Sequence, residues 1–182
     1  MVTVSLVLGV DIGAGGAFAF LTPDGDLMDV VDMPVDVIQI GKHKRSRVSP
    51  HRLLALLRGA QGAHAFLEQP TYRPMKRRDP QTGETEDAHM GAAGAGAFGE
   101  SYGAVLMGIV AAGCAYTEVR PGVWGRAIKL HGGKDDARRM ASRLFPAHAD
   151  RFSRQKDDGR ADAALIGWWG ARELRGGKME AA

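Results

Sequence analysis

Apolar and polar positions fall into blocks along this chain, and the first blocks are short. Leu6 to Val10 is an unbroken apolar run that ends at Asp11; small residues follow, and Gly16 to Leu21 is apolar again. That pattern predicts a buried strand, a tight turn and a returning strand. Thr22-Pro23-Asp24-Gly25-Asp26 reads as a turn, with Asp-Gly supplying the positive φ a hairpin needs, and Leu27 to Met33 predicts a third strand. Three antiparallel strands therefore open the domain. Ser49-Pro50 then resembles an N-cap with proline at the first helical position, and His51 to Arg58 follows as a helix with Leu53, Leu54, Leu56 and Leu57 on its buried side.

Ala63 to Glu68 is a short strand, and a strand reached through one crossover helix tends to lie parallel to the first and near it. Gly91 to Gly99 is rich in Gly and Ala and leads into a helix from Glu100 to Ala112, ended by Gly113. Cys114 to Val119 predicts another strand, followed by a short helix to Leu130 and a long one from Lys134 to Phe145, stopped by Pro146. A last helix starts at Asp158, a good capping residue, with Leu165, Ile166 and Trp169 on one side.

Two polar stretches interrupt this order. Val35 to Ser49 contains Gly41-Lys42-His43-Lys44-Arg45-Ser46-Arg47, which reads first as a solvated loop, with a phosphate-contacting arm as the functional alternative. Thr71 to Ala88 reads as a long polar loop holding Tyr72, Arg73, Lys76, Arg77 and Arg78. Long loops in compact domains are functional or disordered, and an aromatic ring among cations suits nucleic acid, with charge on phosphates and a ring for stacking.

Composition adds bounds. A chain of 182 residues suits one domain with a real core, here expected over 1–174, with a flexible tail at 175–182. Apolar content of 45% and charged content of 25% are ordinary for a globular protein. The net charge is +3 and the pI about 9.2, and the clustering of the cations leaves room for a nucleic-acid partner. Cys114 stands alone, so a reducing cytoplasm is the expected setting; no signal peptide or membrane span is expected.

The candidate chemistry lies in four carboxylates. Asp11 is the only ionisable group in its stretch, and a carboxylate among apolar residues needs a partner or a metal, unless it merely caps the turn. Gly13, Gly15 and Gly16 strip side chains from the backbone beside it, which suits close approach of a bulky ligand such as a phosphate. Glu68 would sit beside Asp11 if its strand is parallel, or else leave the sheet for solvent. Asp158 and Asp162 are four apart on a helix, so they share a face and repel unless a cation or proton lies between them. Capping explains Asp158 but not Asp162; metal ligation explains both. Lys134, at a helix start beside glycines, is a candidate phosphate contact.

Taken in order, strand-borne Asp11, strand-end Glu68 and a C-terminal helix with paired Asp residues resemble the RNase H-like nuclease fold. Arg120-Pro121-x-x-Trp124, Gly133-Lys134, Leu144-Phe145-Pro146 and Asp158-Gly159-Arg160-Ala161-Asp162-Ala163 are similar to the RuvC family of Holliday junction resolvases, especially its phage-type members. The resemblance runs from about Leu6 to Trp169. It implies an α/β fold with a mixed five-stranded sheet (three antiparallel strands, then two parallel) flanked by helices. It also implies a homodimer in the cytoplasm of a bacterium or phage host, and divalent-metal cleavage of four-way junctions to a 5′-phosphate and a 3′-hydroxyl.

By position, Asp11, Glu68, Asp158 and Asp162 take the four carboxylate roles, as catalytic residues and as metal ligands. In better-known bacterial members the last two Asp residues are three apart, whereas here they are four apart, and Asp157 adjoins Asp158. Asp158 is preferred because its spacing to Asp162 fits one helix face. Oxygen-only ligands suit Mg²⁺ or Mn²⁺, two per site. Tyr72, or alternatively Phe98, is the aromatic expected at the element that opens the junction.

A symmetric dimer is expected on the helix from about Phe98 to Ala112, where Gly99 and Gly103 invite close approach of a partner helix or of the chain's own sheet. An actin-like or sugar-kinase ATPase shares the Asp11 hairpin but needs a second domain for which this chain has no room. A nuclease acting on RNA–DNA hybrids and a non-cutting branched-DNA-binding module remain as alternatives.

Overall fold

A computed structural model describes residues 4–70, 75–78, 83, 85–88, 91–131 and 133–176. Strands β1 (Val7–Asp11), β2 (Ala17–Leu21) and β3 (Leu27–Asp32) form the expected antiparallel meander. A hairpin of β4 (Val35–Ile40) and β5 (His43–Val48) precedes α1 (Pro50–Leu57) and β6 (His64–Glu68). A second hairpin, β7 (Met75–Arg78) and β8 (Thr85–Ala88), leads to α2 (Ala92–Ala111) and β9 (Ala115–Val119). Then come α3 (Pro121–Ala127), α4 (Lys134–Leu144), two 3₁₀ segments at Pro146–Phe152 and Gln155–Asp157, and α5 (Asp158–Gly176). The main sheet runs β3-β2-β1-β6-β9, with β6 parallel to β1 and β9 parallel to β6. This is the mixed five-stranded α/β arrangement that the resemblance implies.

Strict alternation along the strands splits the core into two layers. Leu8, Val10, Phe18, Ala65 and Leu67 pack with Leu53 and Leu57 of α1 and Val105 and Ile109 of α2. Val7, Ala17, Ala19, Leu21 and Phe66 pack on the other face with α5 and with Trp124 of α3. Glycines let α5 lie directly on the strands. A methyl group at Gly9 would come within 2.0 Å of the Ala163 carbonyl oxygen, and one at Gly170 within 2.2 Å of the Phe66 ring. Larger residues there would lift the helix and everything it carries.

The sequence reading needs correction in several places. Val35 to Ser49 is not a solvated loop but the β4–β5 hairpin. Its β-branched residues Val35, Val37, Ile38 and Ile40 suit a strand, and Gly41 takes the positive φ (58°) that the turn requires. Thr71 to Ala88 is not all loop either, since β7 and β8 pair antiparallel within it. Tyr72 and Arg73 lie outside the described residues. Helix α2 begins at Ala92 rather than Glu100, because alternate alanines offset the glycines among them.

Within α2 the glycines divide. A methyl group at Gly108 would come within 2.7 Å of Leu53, so this glycine seats α2 on α1. Gly99 and Gly103 face open space, and nearby Met107 and Val110 are 62% and 47% exposed.

Candidate functional site

The site begins with strand register. Val10 pairs with Leu67 across the parallel β1–β6 ladder, so the next residues, Asp11 and Glu68, end neighbouring strands side by side. Alternation sends both side chains to the face covered by α5, the face of Val7 and Phe66. Both are half-buried.

Helix α5 brings the other two carboxylates to this end of the sheet. Its first turn sits on the β1–β2 turn: a methyl group at Gly159 would come 2.6 Å from the Gly15 carbonyl oxygen and 2.9 Å from Asp11 Oδ2. Asp158 and Asp162 flank Gly159 on the helix, and both are half-buried. The turn itself is held by the Gly16 N–H donating to the Gly13 carbonyl at 3.1 Å. Gly16 is required by this packing, since a methyl group on it would lie 2.1 Å from the Asp11 carbonyl oxygen. Only Gly13 (φ 128°) and Gly15 face open space, so ligand clearance belongs to those two rather than to all three.

Each carboxylate has a distinct setting. Trp124 Nε1 donates to Glu68 Oε1 at 3.0 Å. Burial raises the Glu68 pKa, and the indole hydrogen bond only partly opposes it. Arg138 of α4 donates to Asp158 Oδ1 and to Asp135, and also reaches the Gln155 carbonyl at 2.9 Å.

Asp157 is occupied elsewhere. It is 1% exposed, accepts from the Arg154 guanidinium at 2.7 Å and from the Arg154 backbone N–H at 2.9 Å, and so closes a capping box. The Arg154 hydrogen bonds hold its pKa low. That capping box belongs to the 3₁₀ segment Gln155–Asp157, and Asp158, with helical φ and ψ (−53° and −50°), is the first residue of α5 rather than its cap. Arg160 makes a two-pronged contact with Asp32 at the end of β3, one prong at 2.6 Å, which pins the α5 N-terminus over the sheet.

Oxygen donors of this kind suit a hard divalent cation. Among the described residues, however, no three Asp, Glu, His or Cys side chains stand close enough together to hold a metal ion, with Asp158 engaged by Arg138 and Glu68 by Trp124. The donor types fit such an ion; the grouping requires these side chains to move.

The remaining candidates lie on three different elements. Lys76, Arg77 and Arg78 lie on β7, which follows Glu68, and Lys134 is the first residue of α4. Phe98, on α2, packs against the core between α1 and α2. Sequence reasoning gave no role to Trp124, Arg138 or Gly159. Trp124 and Arg138 lie 56 and 20 residues from their partners, with no periodic signal linking them. Gly159 stood in the quoted motif, but its role depends on how α5 lands on the β1–β2 turn.

No family model and no curated protein matches the sequence. Among solved structures, the chain is similar to RuvC of Thermus thermophilus in complex with a Holliday junction substrate. The identity is 16% and the TM-score 0.54, over 93% of this chain and 94% of that one. A second structure of Thermus thermophilus RuvC matches at 16% identity and a TM-score of 0.48, over 93% and 95%. The likeness at a TM-score of 0.54 and the sheet order give the chain a RuvC-like, RNase H-like fold.

Proposed function

With the RuvC-like fold as premise, we propose that this chain is a divalent-metal-dependent endonuclease that resolves four-way DNA junctions by paired phosphodiester cleavage. The observation that carries this reading is the meeting of Asp11, Glu68 and the first turn of α5 at the carboxyl ends of β1 and β6. The relative of similar fold was solved with a Holliday junction substrate, which supports branched DNA as the ligand class.

Asp11, Glu68, Asp158 and Asp162 would hold Mg²⁺ or Mn²⁺. When bound, such ions supply an activated water and charge neutralisation for in-line attack, leaving a 5′-phosphate and a 3′-hydroxyl. The chain's own part is placement. Trp124 fixes one oxygen of Glu68. Arg138 neutralises Asp158 and would have to release it on metal binding. Gly13 and Gly15 leave room for the DNA backbone beside Asp11.

Two copies related by a two-fold axis would present two such sites to a near two-fold junction. Among the described residues, no helix is long and apolar enough to cross a membrane.

The test is incubation with a synthetic four-way junction, a linear duplex and an RNA–DNA hybrid, each with Mg²⁺ or Mn²⁺ or with EDTA. Symmetric cuts in the junction alone, abolished by EDTA and by Asp162→Asn while binding persists, are expected. Preferential hybrid cleavage would replace the reading with a hybrid nuclease. Binding without cleavage under every metal would leave a branched-DNA-binding module.

A further inference from the structure

The β4–β5 hairpin is cationic and projects from the same end of the sheet as Asp11. Asp11 pairs with Ala17, and Ala17 with Asp32, so β3 ends level with Asp11 and about 10 Å away across two strand spacings. Met33 and Pro34 then lead directly into β4. Residues 35–48 carry Lys42, Lys44, Arg45 and Arg47 against Asp36 alone.

The two faces of the hairpin divide the work. Register and alternation place Arg45 and Arg47 on one face and Lys44 on the other, with Lys42 in the turn. Arg47 pairs with Glu100 and Arg45 reaches the Ala93 carbonyl at 3.4 Å, so this face docks on α2. At the root, Val48 is buried and the Ser49 N–H donates to the Pro34 carbonyl at 2.8 Å, which closes the base. Lys42, His43 and Lys44 are exposed, and among the described residues neither lysine has an anionic partner. A supported hairpin that holds exposed ammonium groups out into solvent suits a polyanion of regular charge spacing.

We propose that this hairpin is a phosphate clamp, with Lys42 and Lys44 contacting the backbone of a duplex arm that leaves the catalytic end of the sheet. The inference rests on the nucleic-acid reading above and adds a contact surface outside the carboxylate site. In the sheet order β3-β2-β1-β6-β9, the hairpin root after β3 and the strand end that carries Glu68 lie on opposite sides of β1, so the clamp would flank the carboxylates from the β3 side.

The experiment measures binding of the full chain to a four-way junction in EDTA between 50 and 200 mM salt, the range over which phosphate contacts are most visible. The Lys42→Ala/Lys44→Ala double variant should flatten the slope of log affinity against log salt by about 1.5–2, since each phosphate contact contributes about 0.9. Affinity at the lowest salt should fall about tenfold or more. Lys42→Arg/Lys44→Arg should keep the wild-type slope, which separates charge from any folding defect, and Arg58→Ala, after α1, should change nothing.

A wild-type slope in the double Ala variant overturns the clamp and leaves the nuclease reading standing. A wild-type chain that binds no junction at any salt overturns the nuclease reading itself. Loss of affinity for an acidic protein with no change toward DNA would assign the hairpin to a protein partner and also overturn the clamp.

Discussion

Trp124 Nε1 donates to Glu68 Oε1 at 3.0 Å, which ties the middle of α3 to the end of β6. Glu68 is half-buried, and burial pushes its pKa up while this hydrogen bond pulls it down. Trp124→Phe keeps an aromatic ring at this core position and removes the donor. A hydrogen bond to a charged group contributes about 1.5–3 kcal/mol, so the Glu68 pKa should rise further in the variant. The acid limb of the cleavage rate against pH should move to higher pH, with activity near pH 7 down about tenfold and the fold intact. An unmoved acid limb would reduce Trp124 to a packing residue.

The same burial makes a stability prediction with a definite sign. Because the folded pKa of Glu68 lies above its ordinary value of 4.5, the folded state holds the proton more tightly than the unfolded chain. Stability contributed by this group is therefore full below pH 4.5 and falls as pH rises through the folded pKa. In EDTA at pH 8, Glu68→Gln should melt at or above the wild-type temperature, and the difference should vanish in acid. Added Mg²⁺ should raise the wild-type melting temperature and raise that of Glu68→Gln less. A variant less stable than wild type at pH 8 in EDTA would contradict the buried-charge account.

How much of this was legible in the sequence follows from which forces were local. The β1–β3 meander and the tendency of β6 to run parallel follow from apolar periodicity and crossover rules, which leave Glu68 either beside Asp11 or in solvent; the β1–β6 register decides for the first. The β4–β5 hairpin escapes the apolar pattern because its second strand, His43 to Val48, is mostly charged; of its cations Arg45 and Arg47 dock on α2, so charge there does not mean the absence of structure. The early start of α2 was hidden by glycines among alanines. Arg138 and Trp124 reach their carboxylates only through the tertiary fold, and no spacing rule connects them.

Gly159 offers a sharp contrast with Gly15. A methyl group at position 159 would meet the Gly15 carbonyl oxygen at 2.6 Å and Asp11 Oδ2 at 2.9 Å, whereas one at position 15 meets nothing within 4 Å. Gly159→Ala should lift the first turn of α5 off the β1–β2 turn, cost about 1–3 kcal/mol of stability as an overpacked contact, and lower cleavage at least tenfold. Gly15→Ala should fold like wild type. Denaturant melts and junction cleavage on the pair decide it, and equal behaviour of the two variants would remove Gly159 from the support of Asp11.

The α2 helix gives the most direct test of the proposed two-fold assembly. Gly108 is used internally against Leu53, but Gly99 and Gly103 face open space, and Met107 and Val110 stand exposed on the same helix. Helical glycine costs about 1 kcal/mol relative to alanine, and nothing within the described chain compensates at positions 99 and 103. Close approach of the same helix from a second copy would do so and would cover the exposed methionine and valine. Because a side chain at 103 meets no neighbour in the single chain, Gly103→Leu should fold normally, and the outcome then reads assembly rather than folding. Sedimentation should give a monomer, and junction cleavage should yield single nicks in place of paired cuts. A Gly103→Leu protein that sediments as a dimer and resolves junctions at the wild-type rate would remove α2 from the interface.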